Sequence, residues 1–124
     1  MLPGFDNQTA PLSDIELGAL PQVIDLLKKH YGKDNAITNQ DIRSEFPLLD
    51  SARVRKIINH IRNRNLVPCL IASSKGYYVA ETEQEMKDFE DSLRGRAEAI
   101  MAVCESIKSQ RVQRFGGAYQ PSLF

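Results

Sequence analysis

The 124-residue chain contains no tryptophan, only two cysteines and no net charge, since sixteen Lys and Arg are matched by sixteen Asp and Glu. Cys69 and Cys104 fall in different expected elements, so they read as small buried hydrophobes rather than as a disulfide pair. No run of about 18 apolar residues occurs, which excludes a membrane-spanning helix. The start, Met1-Leu2-Pro3-Gly4-Phe5-Asp6, lacks the basic residues and continuous apolar stretch of a signal peptide, so a cytoplasmic location is expected. There is no Gly-rich phosphate loop followed by Lys-Ser/Thr. His30, His60, Cys69 and Cys104 show no metal-ligand spacing, and Asp88, Glu90 and Asp91 read as a solvated helix face rather than a Mg²⁺ site. The expectation is a protein that is not an enzyme and uses no cofactor or metal, with one core and its appendages.

Zero net charge weakens a nucleic-acid reading at first sight, because phosphate neutralisation supplies most non-specific affinity. The distribution says otherwise. Between residues 51 and 80 the chain carries Arg53, Arg55, Lys56, Arg62, Arg64 and Lys75 with no Asp or Glu. Residues 81–91 then hold Glu81, Glu83, Glu85, Asp88, Glu90 and Asp91 against Lys87 alone. A basic block followed by an acidic one is an electrostatic footprint that the total conceals.

Pro3, Pro11 and Pro21 make residues 1–21 an expected loosely packed arm. From Pro21 the spacing of Val23, Ile24, Leu26, Leu27 and Tyr31 predicts an amphipathic helix ended by Gly32. Ala36-Ile37-Thr38 reads as a short extended segment. Thr38 with Asp41 forms a variant capping box for a short helix stopped by Pro47. Asp50 or Ser51 caps a third helix, whose Val54, Ile57, Ile58 and Ile61 recur at the spacing of a buried face and which ends near Asn65. Two β-prone runs, 67–72 and 77–80, flank Ser73-Ser74-Lys75-Gly76, a hairpin with Gly where positive φ is needed. Pro68 suits an edge strand. Thr82 and Glu85 make a second capping box, and Met86, Phe89, Leu93, Ala97, Ile100, Cys104 and Ile107 then sustain helical spacing. Carried to about Arg114, that helix is longer than about 40 Å, with Gly95 a candidate bend or close approach.

Helix, short strand, helix, helix and hairpin, in that order and spacing, make residues 22–80 resemble a winged-helix domain. The fold expected is therefore α+β and mostly helical: the arm 1–21, the winged helix 22–80 with the hairpin as wing, a long helix 81–114, and a tail 115–124. Projected at about 100° per residue, the third helix turns Ala52, Arg55, Lys56, Asn59, His60 and Asn63 away from its apolar face, with Arg53, Arg62 and Arg64 on the flanks. That chemistry suits double-stranded DNA: Asn pairs with adenine edges, Arg with guanine, and flanking cations with phosphates. Ser74 and Lys75 at the wing tip complete the expected DNA-binding set. Winged helices also bind proteins.

The long helix is acidic in its first half and basic in its second, through Lys108, Arg111 and Arg114, which complements its dipole and allows antiparallel self-pairing. Its stripe is too apolar to stay fully exposed, so part is expected to cover the winged-helix core and the remainder to form a homodimer through this helix. Beyond it, Gln120-Pro121-Ser122-Leu123-Phe124 resembles the peptide by which bacterial replication and repair proteins dock on the DNA polymerase sliding clamp. The resemblance implies a polar anchor at Gln120, the Ser/Asp position at Ser122, and an apolar pair, Leu123 and Phe124, for the clamp pocket. Pro121 departs from the commoner Leu, and it favours an extended conformation. Gly116, Gly117 and Ala118 read as a flexible leash. Together these features resemble a phage-type replication accessory protein, a DNA-binding adaptor docked on the clamp. The alternatives are an inhibitor that occupies the clamp without DNA, and a dimeric winged-helix repressor.

Overall fold

The computed structural model describes residues 10–119, with side chains through residue 116. Among them the elements are α1 (Asp14–Leu27), a 3-10 turn (Lys33–Asn35), α2 (Asn39–Glu45), α3 (Ser51–Asn63), β1 (Leu70–Ser73), β2 (Gly76–Val79) and α4 (Glu83–Tyr119). The chain divides into two units, residues 1–86 and 87–124. No described helix is long and apolar enough to cross a membrane.

In the first unit, α1 begins at Asp14, earlier than the apolar pattern from Pro21 implies. A capping box starts it: Glu16 N–H donates to Ser13 Oγ (3.3 Å) and Ser13 N–H to Glu16 Oε1 (2.8 Å). Residues 14–20, expected in the arm, are thus helical. Pro21 lies inside the helix and leaves the Leu17 carbonyl without its intrahelical donor, on a stretch where both residues are exposed. The Thr38–Asp41 box forms as expected, and Asp50 caps α3 by accepting from Arg53 N–H at 2.8 Å.

The core of this unit is built on α3. Val54, Ile57, Ile58 and Ile61 are all buried, as their spacing predicts, and they pack with Val23 and Leu27 of α1, Ile42 of α2, Leu49, and Leu70 and Val79 of the hairpin. The hairpin pairs Leu70 with Val79, Ile71 with Tyr78, Ala72 with Tyr77 and Ser73 with Gly76, closing over Ser74 and Lys75. Ile37 exchanges two backbone bonds with Tyr77 (2.9 and 2.8 Å), so the short extended segment joins the hairpin as an isolated bridge. His30 and Gly32 bind Val79 in the same way at 2.7 and 2.9 Å, tying the hairpin to the chain leaving α1. Tyr78 is buried and Tyr77 half-buried.

Further expectations change. β1 begins at Leu70 rather than Val67, because Pro68 has no N–H and Cys69 adopts φ +65° in a turn. Cys69 and Cys104 are exposed, not buried: the first stands in that turn, the second on α4. The long helix continues to Tyr119 through Gly116, Gly117 and Ala118, where a leash is expected. Glycine weakens a helix by about 1 kcal/mol without forbidding it.

The base of α4 carries the Thr82–Glu85 box, with Glu85 N–H on Thr82 Oγ1 (3.1 Å) and Thr82 N–H on Glu85 Oε1 (3.3 Å). The Glu85 carboxylate also accepts from the backbone of Glu81 (2.6 Å) and Lys33 (3.3 Å). These donors, that of Glu81 foremost, hold its carboxyl below the usual range. In the second unit, a Cβ on Gly95 would meet nothing within 4 Å, so this glycine marks no close approach.

The two glycines predict opposite outcomes. At Gly76, φ is +121° and a Cβ would lie 2.5 Å from the Ile37 carbonyl oxygen, so Gly76→Ala is expected to lower the thermal midpoint by several degrees. Gly95→Ala is expected to strengthen α4 by about 1 kcal/mol. Thermal melts by circular dichroism, with hydrogen exchange for α4, check both.

Candidate nucleic-acid interface

Because one face of α3 is committed to the core, its other residues are presented along the opposite side. Arg55, Asn63 and Arg64 are exposed, and Arg53, Lys56, Asn59, His60 and Arg62 are half-buried. Ser74 and Lys75 stand exposed at the hairpin tip, a separate element. The structure therefore gathers the expected residues of residues 53–64 on one helix and its C-cap.

It also divides them. Glu16, only 2% exposed, reaches from α1 to Lys56 Nζ at 2.8 Å and to Arg53 Nε at 3.9 Å. Burial raises its carboxyl, but the Lys56 bond and charge and the Ser13 bonds outweigh this and hold it below the ordinary range. Lys56 thus tethers α1 to α3, and Glu16 offsets one of the five cations between Arg53 and Arg64. Sequence reasoning missed this carboxylate. The Ser13-x-x-Glu16 signature announces the helix start, but nothing local announces a partner at position 56.

Arg55 and Arg64 are exposed and rest on local supports. Arg55 Nη1 donates to Ser51 Oγ at 2.7 Å. Arg64 Nη1 lies 3.0 Å from His60 Nδ1. Burial, and then the Arg64 guanidinium, push the His60 imidazole below its usual value. The neutral ring accepts from Arg64 through Nδ1, which leaves an N–H donor at Nε2. Folded His60 binds its proton more weakly than the unfolded chain does. Its contribution to stability therefore declines as pH falls below about 6.5. At the tip, Ser73 Oγ donates to the Gly76 carbonyl (3.2 Å) and accepts from Lys75 N–H (3.2 Å), which shapes the turn that carries Lys75.

Other sites offer less. A groove of about 380 Å³ between α1 and the α2–α3 turn is lined by Ile15, Gly18, Ala19, Phe46, Pro47 and Leu48, with Asp14, Gln22 and Glu45, and holds no His, Cys or Lys. Among the described residues, no group of three or more His, Cys, Asp and Glu is placed to hold a metal ion. Gln120, Ser122, Leu123 and Phe124 lie outside the described residues. No family model matches the chain, and no curated protein or solved structure matches it.

The buried pair makes a stability prediction. Lys56→Ala leaves Glu16 with the distant Arg53 as its one nearby cation, and is expected to cost about 3 kcal/mol in denaturant unfolding. Glu16→Gln with Lys56→Met is expected to recover most of that loss, because no uncompensated charge stays buried. The pH dependence follows from the lowered Glu16 carboxyl. Its stabilisation is present above about pH 4.5 and is lost as pH falls through the folded value. The acid limb of a stability–pH curve should therefore be shallower in Glu16→Gln.

Proposed function

We propose that residues 22–80 form a winged helix that binds duplex DNA through α3 and the hairpin, and that residues 120–124 dock the protein on a bacterial DNA sliding clamp. The observation that carries the DNA half is the outward face of α3, where Arg55, Asn59 and Asn63 stand opposite the buried isoleucine row and Arg62 and Arg64 flank it. A helix whose inner face is fixed in a core presents its outer face rigidly, as groove recognition requires. The Ile37 bridge to Tyr77, alongside the hairpin, supports the same reading, since a winged helix pairs its short early strand with its wing. The clamp half rests on the resemblance of residues 120–124. Two modest attachments on one chain reinforce each other through effective concentration, by roughly 10² to 10⁴ over either alone.

On this reading the phosphate and base contacts fall to Arg55, Arg62, Arg64 and Lys75, with Asn59 and Asn63 on base edges, while Lys56 and Arg53 also pair with Glu16. The exposed apolar side chains of α4 favour one second reading, a dimeric winged-helix repressor. Protection of a palindromic site with half-sites about 34 Å apart would select it.

Arg55→Ala with Arg62→Ala is expected to weaken duplex binding and to flatten its logarithmic salt dependence by about two. The thermal midpoint should stay near that of the parent chain. Fluorescence anisotropy across a salt series measures this, and an unchanged isotherm would rule out the α3 face. For the clamp, titration of the intact chain against a bacterial sliding clamp is expected to show binding that Leu123→Ala with Phe124→Ala removes. Absence of binding by the intact chain would leave only the duplex-binding half.

A further inference from the structure

The α3 face leaves one extended surface unaccounted for, and it lies in the second unit. Phe89, Leu93, Ala97, Ile100, Cys104 and Ile107 fall within an arc of about 80° on α4, taking about 100° per residue. Leu93 is 39% exposed, Ile100 60% and Ile107 59%. An apolar strip of this length is a partner-binding surface rather than a solvated face. Its charge pattern identifies the partner. Residues 83–91 carry Glu83, Glu85, Asp88, Glu90 and Asp91 against Lys87, whereas residues 106–115 carry Lys108, Arg111 and Arg114 with no acid.

We propose that α4 pairs antiparallel with α4 of a second copy of this chain. Parallel pairing would set acid on acid and base on base. The antiparallel arrangement opposes the two blocks, and the helix thereby carries its own complement. The edge of the strip sets the register. Glu90 follows Phe89 and Lys108 follows Ile107, so both stand on the same edge, and a two-fold antiparallel pair places that edge against itself. Glu90 meets Lys108 of the second copy when the two-fold axis passes near residues 99 and 100. Ile100 then meets its own copy, Leu93 lies near Ile107, and Arg111, central on the strip, points along the acidic end of the other helix. The Arg94–Glu90 pair within the helix (3.6 Å) is well exposed on both sides, so it is weak and does not keep Glu90 from a second cation.

This register makes the two candidate cross-linking positions differ. Cys104 would lie about 12 to 15 Å along the axis from its copy, beyond the roughly 7 Å between Cα atoms that a disulfide spans. Position 100 would sit within reach. In a Cys69→Ser background, Ile100→Cys with Cys104→Ser is expected to form an oxidised dimer on a non-reducing gel, and Cys104 alone is not. A dimer through Cys104, or none at position 100, overturns the proposed arrangement. By sedimentation equilibrium the full chain should dimerise at micromolar concentration. Lys108→Glu with Arg111→Glu, and separately Glu90→Lys, should each weaken that association at least tenfold. Mixing the two variants should restore it. A parent chain that stays monomeric at high micromolar concentration, or a mixture that does not recover, refutes the pairing.

Discussion

A carboxylate placed where water cannot reach it has to find cations, and in this chain that requirement joins α1 to α3. Glu16 is committed twice: its backbone and carboxylate close the capping box with Ser13, and the same carboxylate receives Lys56. The helix start and the helix–helix contact are therefore one device. Pulling two charges from water is costly, so such a pair contributes little net stability but severely penalises any arrangement that separates its members. It specifies the seating of α1 on α3 more than it strengthens it.

That seating also decides what α3 has left to offer. A linear count finds six cations and no acid over residues 51–80, yet the folded molecule brings an acid into that stretch from α1. The outward face is still basic, but its centre of charge lies towards Arg55, Arg62 and Arg64. In the proposed DNA complex this shift separates residues that hold the domain together from residues that reach the duplex. The distinction matters because a neutral protein has no surplus charge, and its attraction for phosphates must come from local asymmetry.

Most of the fold was legible because its signals are local. The spacing of Val54, Ile57, Ile58 and Ile61, the boxes at Thr38–Asp41 and Thr82–Glu85, and positive φ at Gly76 all follow from neighbours a few residues apart. What escaped had a competing local signal or a distant partner. Pro21 argued for a helix start where the chain is already helical, and Gly116-Gly117 argued for an end where the helix runs on. Cys69 looked like a strand residue until Pro68 and a left-handed backbone took it out of the sheet. Of the candidate site, residue types and helix face were readable, but the engagement of Lys56 and Arg53 was not, since only tertiary packing brings Glu16 to them.

The Glu85 carboxylate has one further consequence. It serves as common acceptor for amides of Lys33, Glu81 and Thr82, which belong to segments some fifty positions apart in the chain. The three amides share one acceptor, so when the first turn of α4 unwinds, the 3-10 turn loses one of its tethers, that at Lys33, in the same event. The junction therefore couples the first turn of α4 to a sequence-remote loop through one shared carboxylate.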